Sequence, residues 1–468
     1  MIERIIGMES LRKMFGTQDM TVGKPLSNLA SFSIPLLIGN FAQQMYNTVD
    51  SIVVGKYVGD NALAAVGASG PILNLLILLF VGISTGAGIM VAQYYGAKKK
   101  EELSKTVGSC MTLILVSSAI VMLVGPLIAR PLITLLGTPD TVADMAVSYL
   151  VIIFLGILGG GAYNIISGIL RGMGDSFYPL VFLVVACLLN IALDLLFVCK
   201  FRMGVPGVAW ATIIAQIVSG ALCVIRLVRM KDTVQITRKS LIPDRLLTGE
   251  IVRLGLPSGL TQAVFSMASI VVQRLTNSFG EMIMAVSVVV MRVDGFAMLP
   301  NFTFGIALTT FVGQNVGAGR MDRVHEGVRS GLRAGLAIAA ALVTMILLGG
   351  RPLMGLFTQT QAVVDTSMHM MKILAVGYIA MAITQSLSGV MRGAGDTVTP
   401  MWISLVTTVV IRMPLAYLIA YLTRSEAQPN GTPDALFISL LIAWISGAVI
   451  TSIFYKRGKW KKKSVMVE

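Results

Sequence analysis

The chain has 468 residues, of which 55% are hydrophobic and only 13% charged, with a mean hydropathy of +0.81 and a net charge of +14. Those values exclude a soluble enzyme and describe an all-α polytopic membrane protein. The positive charge lies in patches between apolar stretches, so it is not a nucleic-acid footprint, and no nucleic-acid partner is expected.

Residues 1–27 carry Arg4, Arg12, Lys13 and Lys24 among polar residues, without a long apolar core or a small-residue cleavage site. This reads as a retained N-terminal tail and not as a signal peptide. Twelve apolar segments follow, at roughly 28–54, 61–94, 106–129, 141–168, 177–199, 206–228, 250–278, 283–313, 329–349, 361–388, 398–422 and 434–455. Each is near or above the ~18 residues needed to cross a bilayer as a helix. Cys110, Cys187, Cys199 and Cys223 are scattered without paired spacing, and His325 and His369 are far apart. Neither a disulfide framework nor a zinc site is supported, and no cofactor is expected.

Lys and Arg residues set the orientation. They crowd the N-tail, residues 98–105, the stretch from Arg226 to Arg253, residues 320–333 and the tail after Lys456, with Arg171 and Arg392 on the same side. The opposite connections hold only Lys56, Arg130, Lys200, Arg202, Arg274, Arg351 and Arg424. Both termini are therefore expected to be cytoplasmic. The Lys456–Lys463 tail reads either as a stop-transfer flank or as a patch for anionic lipid headgroups.

The chain also repeats itself. Val91-Ala-Gln-Tyr-Tyr-Gly-Ala97 matches Val312-Gly-Gln-Asn-Val-Gly-Ala318, 221 residues further on. Ser167-Gly-Ile-Leu-Arg-Gly-Met-Gly-Asp175 matches Ser388-Gly-Val-Met-Arg-Gly-Ala-Gly-Asp396 at the same offset, as Pro179 does Pro400. The expected organisation is a cytoplasmic N-tail (1–27), an N-lobe of six helices (28–228), a cytoplasmic linker (229–249), a C-lobe of six helices (250–455) and a basic cytoplasmic C-tail (456–468). The lobes are expected to be parallel repeats with pseudo-two-fold symmetry, facing each other across a central cavity. The Gly-rich Arg-Gly-x-Gly-Asp turns are loop and cap devices, since no strand or Walker-type Lys-Ser/Thr accompanies them.

The chemistry begins with Asp50, a carboxylate inside the first segment. Such a residue costs roughly 2.5 to 3.5 kcal/mol at the centre of a helix and tends to mark an ion or substrate path. Tyr46 shares its helix face by i,i+4 spacing, as Asn190 shares a face with Asp194 on the fifth segment. The sixth segment adds Thr212. Asp50, Asp194 and Thr212 each lie about six residues, or about 9 Å, from the outer ends of their helices. These groups are expected to form one polar cage. Two close carboxylates in a low-dielectric site cannot both ionise cheaply, so one is expected to hold a proton. Alternatively, Asp50, Asn190, Asp194 and Thr212 offer oxygen ligands for Na⁺.

The second half lacks this cage: Ala268 stands opposite Asp50 and Leu415 opposite Asp194. It offers Asp294, which could meet a cationic substrate or pair with Arg292 or Arg412; Lys372 is another candidate partner. Many of the 28 methionines fall within spans, where they fill core or line a promiscuous pocket.

Taken together, the twelve-helix length, the duplicated Arg-Gly-x-Gly-Asp elements, the paired Gln93 and Gln314 motifs and Val49-Asp-Ser-Ile-Val-Val-Gly55 resemble a bacterial multidrug and toxic compound extrusion (MATE) transporter. Tyr46, Asp50, Asn190, Asp194 and Thr212 are similar to the N-lobe cation site of the DinF-like branch. The NorM-like branch uses acids in the seventh and tenth helices, where this chain has only Glu250 and Asp365 near segment ends. The resemblance implies a multi-pass plasma-membrane antiporter, not an enzyme, that exports small organic cations in exchange for inward H⁺ or Na⁺ by alternating access. It also implies a lipid-embedded monomer, with Tyr149 and Asn164 of the fourth helix lining the substrate cavity beside Asp294. The alternative within the broader superfamily is a flippase for a lipid-linked precursor, which would call for a more cationic cavity. A lipid-modifying enzyme would need clustered His or acids at the membrane interface, and the sequence shows none.

Overall fold

The computed structural model describes residues 16–237, 240–426 and 428–465, apart from the side chains of Asn47, Ser51 and Asp60. Arg4, Arg12 and Lys13 of the expected N-tail, and Arg238 and Lys239 of the expected linker, lie outside the described residues. The spans run in the order expected from hydropathy. The first is Pro25–Val53, the second Asp60–Gly96, the third Lys100–Leu135 and the fourth Asp140–Gly172. Phe177–Lys200 and Gly204–Arg229 are the fifth and sixth. The second set comprises Arg245–Ser278, Glu281–Gly317, Met321–Gly355, Gln361–Gly393, Val398–Leu422 and Asp434–Arg457.

Among the described residues, ten helices are long and apolar enough to cross a membrane unaided, and the bent fourth span makes an eleventh. The first helix, at 29 residues, is long enough, but Asn40, Gln43, Gln44 and Asp50 dilute its apolar character. Polar residues of this kind are tolerated in a span when they face protein or water instead of lipid.

The fourth segment differs from the expected uninterrupted helix. It bends by 54° where Asp140–Leu155 gives way to Ile157–Gly172, at Gly156. The cause lies in its neighbour: a Cβ on Gly156 would sit 2.3 Å from the Ile213 side chain, and one on Gly159 2.6 Å from the Ile217 backbone. Glycines let the fourth span lie directly on the sixth, and the bend keeps that contact along both halves.

The internal repeat is visible in packing. A Cβ on Gly168 would meet the Ser84 carbonyl at 2.8 Å, and one on Gly172 the Gly88 carbonyl at 2.6 Å. At the same offset, Gly389 would meet the Gly305 carbonyl at 2.3 Å and Gly393 the Thr309 carbonyl at 2.4 Å. Hydroxyls stitch the same seams: Ser84 Oγ donates to the Asn164 carbonyl at 2.7 Å, and Thr309 Oγ1 to the Gly389 carbonyl at 3.1 Å. Small residues and hydroxyl bonds are what hold helices together where lipid removes the hydrophobic drive. The turns repeat too. Gly174 and Gly395 both take positive φ, and Asp175 and Asp396 each accept the backbone N–H three residues on, at 3.1 Å. Asp175 additionally holds Arg226, whose guanidinium lies 3.8 Å from the Tyr178 ring centroid.

The described residues divide into two compact units, those up to 20 with those from 31 to 256, and 21–30 with those from 257 on. In the first, the segment after the sixth span is stapled to the third. Ser104 Oγ accepts from Gln235 N, Thr112 Oγ1 donates to the Leu241 carbonyl and Ser109 Oγ accepts from Asp244 N. In the second, Arg320 and Arg323 donate to the carbonyls of Thr21, Val22 and Gly23.

Gly389→Val forces a side chain onto a backbone carbonyl and should destabilise the fold by about 1–3 kcal/mol or more. Gly349→Val, which points into open space, should be close to neutral. Thermal unfolding of the detergent-purified variants checks the difference.

Candidate functional site

Six side chains of the first unit converge on one place. Asp50 and Asp194 lie close enough for their carboxyl groups to interact directly. Tyr46 lies beside Thr212 and within electrostatic range of both carboxyls. Thr212 Oγ1 donates to the Val208 carbonyl at 3.0 Å, which fixes its rotamer. The Asn190 amide satisfies its surroundings when Nδ2 donates to Asp194 Oδ2 at 2.9 Å and Oδ1 accepts from Thr212 N at 3.2 Å. Tyr149 also interacts electrostatically with Asp50 and Asp194. Counting residues from the outer helix ends predicts the common level of Asp50, Asp194 and Thr212. It does not predict that Tyr149, expected in the substrate cavity, stands against the carboxyl pair.

Burial gives the cage its force. Asn190 and Asp194 are fully buried and Tyr149 nearly so, within a shell that includes Val54, Val198, Val208 and Ile213. Asp50 Oδ1 and Asp194 Oδ1 are buried, and neither meets a donor from another residue. Two acids in such a setting favour taking up a proton or a small hard cation. The donor set is all oxygen, which suits H⁺ or an alkali cation and offers no soft ligand.

Local backbone explains how the acids are aimed. The first span runs from Asp50 into a π stretch at Val54–Val58, where Gly59 N reaches back five residues to the Val54 carbonyl at 3.1 Å. The fifth does the same immediately after Asp194, over Leu195–Lys200, with Phe201 N on the Leu196 carbonyl at 3.0 Å. Such wide turns are rare and frequently found at functional sites.

The remaining candidates lie elsewhere. Asn164 bonds within its own helix, Nδ2 to the Gly160 carbonyl at 2.9 Å, and does not join the cage. Asp294 belongs to the second unit. Its Oδ1 accepts from the Tyr378 hydroxyl at 2.9 Å, and its charge interacts with Arg412. Arg292 and Lys372, the other expected partners, are exposed. Asp365 pairs with Arg351 at 2.9 Å and Glu250 with Arg253 at 2.7 Å, so neither stands as a free acid within its span. Tyr378 is the residue that sequence reasoning missed. The available signal was a lone aromatic hydroxyl inside the tenth segment, on a different helix from the acid it serves.

Glycine-seamed apolar helices around a buried acid pair and its polar neighbours describe the class of multi-pass membrane transporters. The MatE family model matches this chain twice, over residues 35–196 and 257–418. The chain belongs to that family, the MATE transporters. It is 28% identical to the probable multidrug resistance protein YoeA of Bacillus subtilis, over 98% of this chain and 99% of that protein. It is 25% identical to the probable multidrug resistance protein NorM of Thermotoga maritima, over 94% of each. A crystal structure of MATE in complex with MaL6 superposes with a TM-score of 0.88 at 24% identity, covering 96% of this chain and 99% of that one.

Asn190→Ala removes the amide that orients Asp194 and engages Thr212. It should raise the cation concentration for half-maximal transport by about tenfold, the usual loss when an orienting partner is removed, while leaving a monodisperse protein. Transport assays over a range of H⁺ and Na⁺ concentrations measure it.

Proposed function

We propose that this MATE protein is a secondary antiporter that exports organic cations in exchange for inward H⁺ or Na⁺, with the Asp50–Asp194 pair as its coupling site. The observation that carries this reading is the pair of buried carboxyl oxygens, Asp50 Oδ1 and Asp194 Oδ1, that meet no donor from another residue. The two acids lie close enough to interact, and carboxyl groups at close quarters in low dielectric favour a state in which one of them carries a proton. When both are ionised, a small cation takes that place. The site therefore has two states of different charge, which is what an exchanger needs.

In the cycle we propose, drug binds from the cytoplasm and is released outside as H⁺ or Na⁺ enters the cage. Asp50 and Asp194 accept the ion, Asn190 and Thr212 orient Asp194, and Tyr46 and Tyr149 close the polar network against the apolar shell. Alternating access follows if the two charge states favour different conformations; an ion shifts the equilibrium only by its differential affinity for them. The cage oxygens match those of a DinF-like N-lobe site. The distribution of Lys and Arg favours cytoplasmic termini and a plasma-membrane setting. The acidic character of the pair argues against a pyrophosphate-bearing lipid as cargo.

Wild-type protein in proteoliposomes should export ethidium under an imposed H⁺ or Na⁺ gradient. Asp50→Asn and Asp194→Asn should each abolish gradient-driven export while preserving fold and monodispersity. Wild-type coupling in both variants would overturn the assignment.

A further inference from the structure

The chain stays folded past the end of its twelfth span. Gly458 takes a φ of 70° and its N–H bonds to the Tyr455 carbonyl at 3.1 Å, which closes the helix Asp434–Arg457. A left-handed residue of this kind suits glycine and turns the chain off the helix axis. One 3₁₀ turn follows, Lys459–Lys462, and it returns to the helix it has just left. Trp460 is only 1% exposed, stacks on Tyr455 at 5.4 Å with the rings 13° apart, and donates Nε1 to the Tyr455 carbonyl at 2.9 Å. Lys461 is fastened as well. Its Nζ lies 3.1 Å from Nε2 of His325, near the start of the ninth span, and Nδ1 of the same ring faces the Met321 carbonyl at 2.6 Å.

This local fold sets charge in a fixed array. The stretch Lys456–Lys463 holds six cations and no acid, and all six are exposed. His325 also begins a row at i,i+4 spacing that continues through Arg329 and Arg333, both exposed. The Lys461 contact therefore brings the tail to a helix face that carries two further cations. Asp322 and Glu326, the acids at the same helix end, make none of the direct ion pairs among the described residues. Like charges gathered in this way repel unless an anion comes between them. A flank that only fixes orientation needs positive charge and nothing more, so loose lysines would serve. Here a buried tryptophan and a lysine–histidine contact hold the lysines in place. Rings accompany the cations: Arg457 lies 5.4 Å from the Phe454 centroid and Lys461 5.7 Å from that of Trp460. Aromatic and basic side chains together, at the end of a spanning helix, belong to the headgroup level of a bilayer.

We propose that the Lys459–Lys462 turn and the Arg329–Arg333 face of the ninth span form a docking surface for the phosphodiester headgroups of anionic phospholipids. The lysines neutralise the phosphates, the two arginines flank them, and Trp460 keeps the turn folded against Tyr455. Lipid is the source because the surface follows directly on a membrane span, where headgroups are concentrated and already oriented. The surface is separate from the Asp50–Asp194 pair and stands whether or not that pair exchanges ions.

The test measures binding of phosphatidylglycerol and of phosphatidylcholine to the dye-labelled full chain in detergent, by thermophoresis. Wild type should favour phosphatidylglycerol by about tenfold or more at low salt, and the preference should shrink toward unity at about 0.5 M salt. The triple variant Lys459→Gln, Lys461→Gln, Lys462→Gln should lose most of that preference, at up to about fivefold per lysine removed, with phosphatidylcholine binding unchanged. Trp460→Ala keeps every charge and should still lose several-fold in preference, because the array is no longer held. No preference in wild type, or a preference indifferent to salt and to the triple variant, would overturn the proposal. An undiminished preference in Trp460→Ala would also overturn it, since a disordered run of lysines would then suffice. If Trp460→Ala does not fold, Arg329→Gln with Arg333→Gln takes its place, and an unaltered preference there counts equally against the surface. Glycerol phosphate should compete poorly; competition equal to that of the lipid would assign the surface to a soluble anion and overturn the lipid source.

Discussion

Two carboxyl groups in contact within an apolar shell cannot be left as they are. Their mutual repulsion in low dielectric has to be relieved by a proton or a cation, and around Asp50 and Asp194 the rest of the first unit is arranged to allow that and nothing looser. Asn190, itself engaged by Thr212 N, holds the geometry of Asp194. Val54, Val198 and Val208 keep the surroundings apolar. The π stretches that follow both acids set the register of the turns that carry them. In the exchange we propose, such a cage responds to a single charge.

The internal duplication shows which parts of the build are general and which are special. The glycine seams at Gly168 and Gly389 and the aspartate-capped turns at Asp175 and Asp396 recur at one offset, and each seam carries a hydroxyl stitch, from Ser84 and from Thr309. They answer a need that both units share, close helix packing without a hydrophobic drive. The charged residues do not recur. Ala268 and Leu415 stand where the first unit has its acids, while Asp294 is held by Tyr378 in an arrangement of another kind. Packing has been copied and chemistry has diverged.

Much of this is legible in the chain itself. Spans follow from apolar length, the repeat from matched motifs, and the common level of Asp50, Asp194 and Thr212 from counting residues inward from each helix end. What escapes is whatever depends on a neighbour. The bend at Gly156 lies where the fourth span packs on Ile213 of the sixth, and apolar length alone does not announce it. The wide turns after Asp50 and Asp194, Val54–Val58 and Leu195–Lys200, share no common composition, so periodicity does not mark them. Tyr149 and Tyr378 acquire their roles from acids on other helices. Asn164 looks equivalent in sequence but spends its amide on the Gly160 carbonyl of its own helix. Side chains that act across helices are hidden until the helices are packed.

The central claim is that the carboxyl pair changes charge state during exchange. Infrared difference spectroscopy of the purified protein on adding ethidium reads this directly. The account predicts a substrate-induced carboxyl change, either loss of a protonated-carboxyl band or a shift of carboxylate bands in Na⁺, that disappears in both Asp50→Asn and Asp194→Asn. A wild-type spectrum with no carboxyl change in either ion, or one that persists unaltered in both variants, would contradict it.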